Sequence, residues 1–315
     1  MRLDELPRVL PFTARSHAAQ YRTKAFLALR TLSRENANQQ PMWANAAVRE
    51  TLLEGSAADE RVEAVREHAL GALANLAAHT ASQPSMWRDA RVRSNFVSGA
   101  AGGEPEGVRQ RAVNGLKNLT CARENRQPMW DNDGVRAVLV AGAQPDEHSE
   151  MRDRALGALR NLALHYGNQR VMWADERLRI ALEAGAQPGI HVAARAHALG
   201  VLANLASHPD NKQPMWSSTA GRVREALLSG AAANEPAQVR EHALLGLANL
   251  VSDSSLRSSL VEAGVRRVLQ SGRDARDLPR DHRSFLGARV ADLQRAVDPG
   301  PGPAILRNGV WHILV

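Results

Sequence analysis

The sequence predicts an all-α protein built as an α-solenoid of about six three-helix repeats. Three observations carry that expectation. The string "VREHALGALANLA" at 65–77 returns from Val108, Met151, Ala194 and Val239. A Met-Trp pair recurs with the same period. Apolar residues make up 44% of the chain but aromatics only 4%, so the interior must be built mainly from Ala, Leu and Val, which suits closely packed helices.

The period is read from the Asn near the end of each string. These are Asn75, Asn118, Asn161, Asn204 and Asn249, separated by 43, 43, 43 and 45 residues. A degenerate first copy, "TKAFLALRTLS", places Thr31 at the same point, 44 residues before Asn75, and makes six units. The Met-Trp pairs end at Trp43, Trp87, Trp130, Trp173 and Trp216, and each is followed by a third string of the type "VRETLLEGSA" or "LRIALEAGAQ". Each unit therefore reads as a short, a middle and a long helix. In "NQQPMW" and "NKQPMW" the Pro is expected in the first turn of the short helix, where a missing N–H costs nothing. The Gly of "LLEGSA" and its equivalents is expected to end the middle helix in a left-handed conformation. Loops such as "GGEPEG" and "ANEPAQ" lead into the long helix. A Trp at a fixed place in every unit is expected to fill space between repeats.

These strings divide the chain into an N-terminal capping helix at 1–24, a repeat array at 25–272, and a C-terminal capping helix and tail at 273–315. In the last segment "DHRSFLGARVADLQRAV" has helical apolar spacing at Phe285, Leu286, Val290, Leu293 and Val297. A Pro/Gly linker and a short apolar stretch containing the one off-period Trp, Trp311, follow it.

Units of 40–47 residues with two or three helices are a sign of HEAT or armadillo solenoids. The long-helix string resembles the third-helix signature of armadillo repeats, in which importin-α-type and catenin-type proteins carry Val-Arg-Glu, a small and aliphatic run, then Leu-X-Asn-aliphatic-Ala. The resemblance covers about residues 25–272 and implies a right-handed solenoid whose Asn faces a concave groove and grips the main chain of an extended peptide. In importin-α-type proteins a Trp one turn before the Asn stacks on cargo lysines. Here that position holds Gly71, Asn114, Gly157, Gly200 and Leu245, and no Lys/Arg cluster of the importin-β-binding kind precedes the array. The resemblance therefore does not extend to nuclear-import cargo.

At about 100° per residue, the positions one after, two before, five before and six before the Asn share one side of the long helix. They hold only Leu, Val or Ala in every full copy and form the expected core. The opposite side gathers the Asn row with His68, Arg111, Arg154, His197 and His242 seven residues earlier. Eight residues earlier stand Glu67, Gln110, Asp153, Ala196 and Glu241, and four residues later His79, Ala122, His165, His208 and Asp253. An Asn side chain has two donor hydrogens and an acceptor, so one per repeat makes a ladder for a peptide main chain; the competing use is capping or bridging within the array. Gly at the position four before the Asn costs a helix about 1 kcal/mol relative to Ala. Close approach of a ligand backbone and drift in an Ala/Gly-rich sequence both account for it. Arg66, Arg109, Arg152, Arg195 and Arg240, nine before the Asn, point towards the core side, where a salt bridge or carbonyl contact to the preceding repeat is expected, because an unpaired buried cation is costly.

The net charge of +7 is concentrated at the ends, each +4, which leaves the repeats near neutral and argues against nucleic acid as the main partner. Six groove-face His would make the face cationic near pH 6. Equivalent His in adjacent repeats lie roughly 8–10 Å apart, too far to share a metal ion, and no nucleophile or phosphate-loop motif occurs. No catalytic residue, metal or other cofactor, or small-molecule substrate is therefore expected. The single Cys121 fits a reducing compartment and, among apolar repeat positions, is expected to be packed. With charges where a signal peptide needs its apolar run and no membrane-length segment, the location expected is cytoplasmic or nucleocytoplasmic. The function expected is a non-enzymatic adaptor holding a protein or extended peptide on the Asn face. RNA or polyanion binding through Arg-rich ends and groove, and a purely structural spacer, are the competing readings.

Overall fold

The computed structural model of the protein describes residues 19–217 and 221–297 together with the strands 304–307 and 310–313. It divides into two compact units, 1–181 and 182–315. The capping role expected of 1–24 falls mostly outside the described residues, as does the Pro/Gly linker at 298–303.

In the first unit the long helices are α1 (Ala19–Leu32), α4 (Glu63–Leu76), α7 (Glu106–Leu119) and α10 (Ser149–Leu162). They pack side by side in that order. Between them lie the short helices α2 (Asn36–Ala44), α5 (Gln83–Arg88) and α8 (Arg123–Asp131), each followed by a middle helix, α3 (Ala46–Gly55), α6 (Ala90–Gly99) and α9 (Asp133–Gly142). α11 (Tyr166–Ala174) follows α10, and α12 (Glu176–Gly185) spans the division. The second unit repeats the order with α13 (Val192–Leu205), α14 (Pro209–Trp216), α15 (Arg222–Gly230), α16 (Ala237–Val251), α17 (Arg257–Glu262) and α18 (Val265–Asp274). α19 (Arg280–Val297) packs on α16, α17 and α18 and buries Leu286 and Leu293. Phe285 and Val290 remain half-buried. Among the described residues the only strands are β1 (Ala304–Arg307) and β2 (Val310–Ile313), an antiparallel pair in which Leu306 is opposite Trp311.

The core is the one read from the helical angle. Ala69, Leu70, Leu73 and Leu76 are fully buried, and the equivalent positions in α7, α10, α13 and α16 are exposed by 1% at most. The five Trp are buried beside them. Each carries an arginine over its ring, as with Arg93 at 5.5 Å from Trp87 and Arg136 at 5.7 Å from Trp130. Trp43 Nε1 and Trp216 Nε1 also donate to Ser85 and Ser259 of the following repeat. Trp43 and Trp216 thus tie their repeats to the ones that follow.

Local punctuation differs from the sequence expectation in two respects. Pro41 and Pro128 are the sixth residues of α2 and α8, not residues of their first turns. The short helix starts earlier because its Asn caps the preceding long helix: Asn38 donates to Leu32 O at 2.9 Å, Asn125 to Leu119 O at 2.9 Å and Asn211 to Leu205 O at 2.9 Å. Those carbonyls are in last turns, where no intrahelical donor exists. The Gly that ends each middle helix is not left-handed, since among described residues positive φ occurs only at Gly189, Gly221 and Gly264. Its role is space. A Cβ on Gly55 would sit 2.2 Å from Phe26, and one on Gly99 2.8 Å from Leu70, so the end of the middle helix lies directly against a core side chain.

Candidate functional site

Asn75, Asn118, Asn161, Asn204 and Asn249 lie on one face of the long helices and are all half-buried. The amide nitrogens of Asn75, Asn118, Asn161 and Asn249 reach the preceding long helix or the turn that ends it. In the first unit Asn75 Nδ2 donates to Arg30 O at 3.3 Å and Ser33 Oγ at 2.9 Å. Asn118 Nδ2 donates to Ala74 O at 2.8 Å, and Asn161 Nδ2 to Thr120 Oγ1 at 3.0 Å. In the second unit Asn249 Nδ2 donates to Ala203 O at 2.9 Å and Ser207 Oγ at 3.2 Å. Arg30, Ala74 and Ala203 are last-turn residues, so the amides satisfy carbonyls that the helix itself cannot. The bridging use expected as the competing reading is thus present. The Oδ1 atoms of Asn75, Asn118, Asn161 and Asn249 accept nothing from the described residues. Thr31, in the first copy, turns its hydroxyl back to Leu27 O at 2.9 Å and takes no part in the row.

The flanking rows are half-buried too, except Ala196, which is buried. Glu67, His68 and Arg111 come together with Arg30 of α1. Arg30 Nη1 lies 3.3 Å from Glu67 Oε1 and 3.1 Å from His68 Nδ1, while Arg111 Nε donates to the same Glu67 Oε1 at 3.2 Å. Burial and the neighbouring Arg111 lower the Arg30 pKa from its ordinary value. Burial and Arg30 hold His68 below the ordinary histidine range. Arg154 pairs instead with Glu150 in its own helix at 3.2 Å. Glu241 faces His282 of α19 at 3.0 Å. Asp153, His197 and His242 occupy their expected rows.

Gly71, one turn before Asn75, has a definite neighbour. A Cβ there would lie 3.1 Å from Arg30 Cδ and 3.4 Å from Arg111 Cδ, so the missing side chain makes room for two arginine stems to converge.

The arginine row nine before each Asn is structural, but its acidic partners differ from those expected. Each lies in the loop ahead of the next long helix, not in the preceding repeat. Arg66 pairs with Glu104 at 2.5 Å and Arg195 with Glu235 at 2.7 Å; Arg109 pairs with Glu147 and Arg240 with Asp277. Arg22, at the same place in the first copy, pairs with Glu60. A helix's first turn faces the loop that follows in the stack, which is why the acids of "GGEPEG" and "ANEPAQ" are its partners. Arg152 donates to Pro145 O at 3.1 Å within its own repeat. Cys121 is exposed, not packed, because it lies beyond the end of α7; its thiol accepts from Asn161 Nδ2 at 3.6 Å.

One row was not read from the sequence. The position before the Asn holds Arg30, Ala74, Lys117 and Arg160 in the first unit, but Ala203 and Ala248 in the second. Adding it to the rows seven before, eight before and four after gives the first unit six cations (Lys24, Arg30, Arg111, Lys117, Arg154, Arg160) and three acids (Glu35, Glu67, Asp153). The second unit has no Lys or Arg in those rows and two acids, Glu241 and Asp253. Among the described residues no three His, Cys, Asp or Glu side chains converge as a metal site, and no helix is long and apolar enough to cross a membrane.

No protein-family profile and no curated protein matches the sequence. Solved structures do match in fold. A computationally designed armadillo repeat protein for modular peptide recognition superimposes with a TM-score of 0.65 and 21% identity, covering 78% of this chain and 99% of its own. A second designed armadillo repeat protein gives 0.54 at 18% identity over 92% of this chain and all of its own. A third, in complex with the peptide (KR)4, gives 0.50 at 19% identity over 92% of this chain and 99% of its own. The chain has an armadillo-like repeat fold.

Proposed function

We propose that the protein is a non-enzymatic adaptor that holds an extended segment of a protein partner along the Asn face of its long helices. One observation carries this reading: Asn75, Asn118, Asn161 and Asn249 are half-buried, their amide nitrogens are fixed on the preceding helix or the turn that ends it, and their Oδ1 atoms accept nothing from the described residues. A fixed amide has lost its rotamer freedom before a ligand arrives, so accepting a main-chain N–H costs it little further order. The designed armadillo proteins of similar fold were made for peptide recognition, or are in complex with a peptide, which supports the reading.

The test is selection from a randomised short-peptide display library on the protein and on a variant with Asn75, Asn118 and Asn161 changed to alanine. Three hydrogen bonds at about 0.5–1.5 kcal/mol each correspond to a loss of capture between about ten-fold and a thousand-fold. Circular dichroism identifies a variant that has kept its helices. Equal capture by a folded variant overturns the proposal.

A further inference from the structure

The rows of the first unit's face hold more Lys and Arg than Asp and Glu, and over Gly71 two arginines meet one acid. One carboxylate oxygen, Glu67 Oε1, is shared by Arg30 and Arg111 at 3.3 and 3.2 Å. The pair has no second acid. Arg111 reaches Glu67 through Nε, and its two terminal nitrogens have no partner among the described residues. Glu67 is held in turn: its Oε2 occupies the space beside Gly107 where a Cβ would stand, at 2.9 Å. Two guanidinium groups at 13% and 33% side-chain exposure thus flank a helix backbone that offers no side chain between them.

We propose that Arg30 and Arg111, converging over Gly71, form the anchor subsite for a carboxylate side chain of an acidic extended peptide. This rests on the docking reading above and adds the chemistry of the partner. The guanidinium fork matches a carboxylate in two parallel hydrogen bonds, and the Nη pair of Arg111 is the part left over for it. Burial first, and then the charge of Arg111, hold Arg30 below the ordinary arginine range, and a second carboxylate would offset both. Lys117 and Arg160 continue the same sign in the next two repeats, whereas the second unit has no Lys or Arg in the equivalent rows. An extended partner should therefore be acidic where it crosses the first unit. Nucleic acid fits this face less well: Glu67 and Asp153 lie among the cations, and the rows of the face contain no Phe, Tyr or Trp on which a base could stack.

The experiment is selection of the full chain against a randomised short-peptide library, sorted by the charge of the captured sequences, with Arg30→Gln, Arg111→Gln and Arg111→Lys in parallel. Each single Gln change leaves Glu67 one arginine, so the stack keeps its pairing, and circular dichroism checks that it does. The expected result is enrichment in Asp and Glu, falling about ten-fold or more in either Gln variant, with Arg111→Lys restoring only part of it. Enrichment in neutral or Lys/Arg peptides overturns the carboxylate anchor and leaves peptide docking standing. Capture of a single-stranded RNA in place of acidic peptides, dependent on Arg111, overturns it in favour of a phosphate. No enrichment of any peptide removes both proposals.

Discussion

Asn118 Nδ2 donates to the carbonyl of Ala74 at 2.8 Å, joining two long helices that are 44 residues apart in sequence. The bond satisfies a carbonyl that α4 cannot, so it belongs to the stacking of repeats as well as to the face they present. Asn118→Ala should lower unfolding stability by about 1 kcal/mol, the usual net contribution of such a bond. Urea denaturation of the variant measures it, and an unchanged midpoint would show that water replaces the amide without loss.

Arg195 and Glu235 make the sharper stability test. Arg195 is 5% exposed and also donates to Ala186 O at 3.1 Å. Glu235→Ala strands a buried guanidinium and should cost about 2 kcal/mol, below the full penalty for breaking a buried pair because Glu235 itself is partly exposed. The pair of Arg91 with Glu50 is about half exposed on both sides, and Glu50→Ala should change stability by less than about 0.5 kcal/mol. Chemical denaturation of the two variants side by side reads the contrast.

Two mid-helix glycines should respond in opposite directions to the same change. A Cβ on Gly115 would lie 2.2 Å from Phe96 Cε1, inside the core, so Gly115→Ala should destabilise by about 1–3 kcal/mol despite the better helix former. On Gly71 the nearest atoms belong to flexible arginine stems. Gly71→Ala should therefore leave stability unchanged or raise it by up to about 1 kcal/mol, while weakening capture of acidic peptides. Thermal melts and the peptide selection separate the two effects.

Acid should weaken the fold in two stages. His68 has its pKa lowered by burial and by Arg30. Below the unfolded value of 6.5 the unfolded chain therefore takes the proton more readily, and stability falls as pH drops through that value. Burial raises the Glu147 pKa, but the hydrogen bond from Arg109, the His148 amide and their charges lower it more, leaving it below 4.5. Its contribution is complete above pH 4.5 and is lost as pH falls from there through the folded value. Urea midpoints against pH should show both slopes, with His68→Asn removing the first and Glu147→Gln the second. At pH 6 His68 stays neutral more than an ordinary His would, so it contributes less than an ordinary His to the cationic face expected from the His rows.

The period, the six long-helix strings, the buried Leu/Ala face and the row of Asn are all legible in the amino-acid order, because each follows from repetition and from the angle of a residue around its own helix. What those side chains touch is set by the packing of one helix on another. Arg66 and Arg195 find acids in the following loop, Gly55 and Gly99 end their helices against core side chains, and Asn38 and Asn125 cap the helix before them. Arg30 belongs to the degenerate first copy and stands 81 residues before Arg111, yet the two meet across Gly71. A helical angle fixes a direction from the axis but not how far a long side chain reaches over its neighbour, so contacts between repeats are set only when the helices are packed.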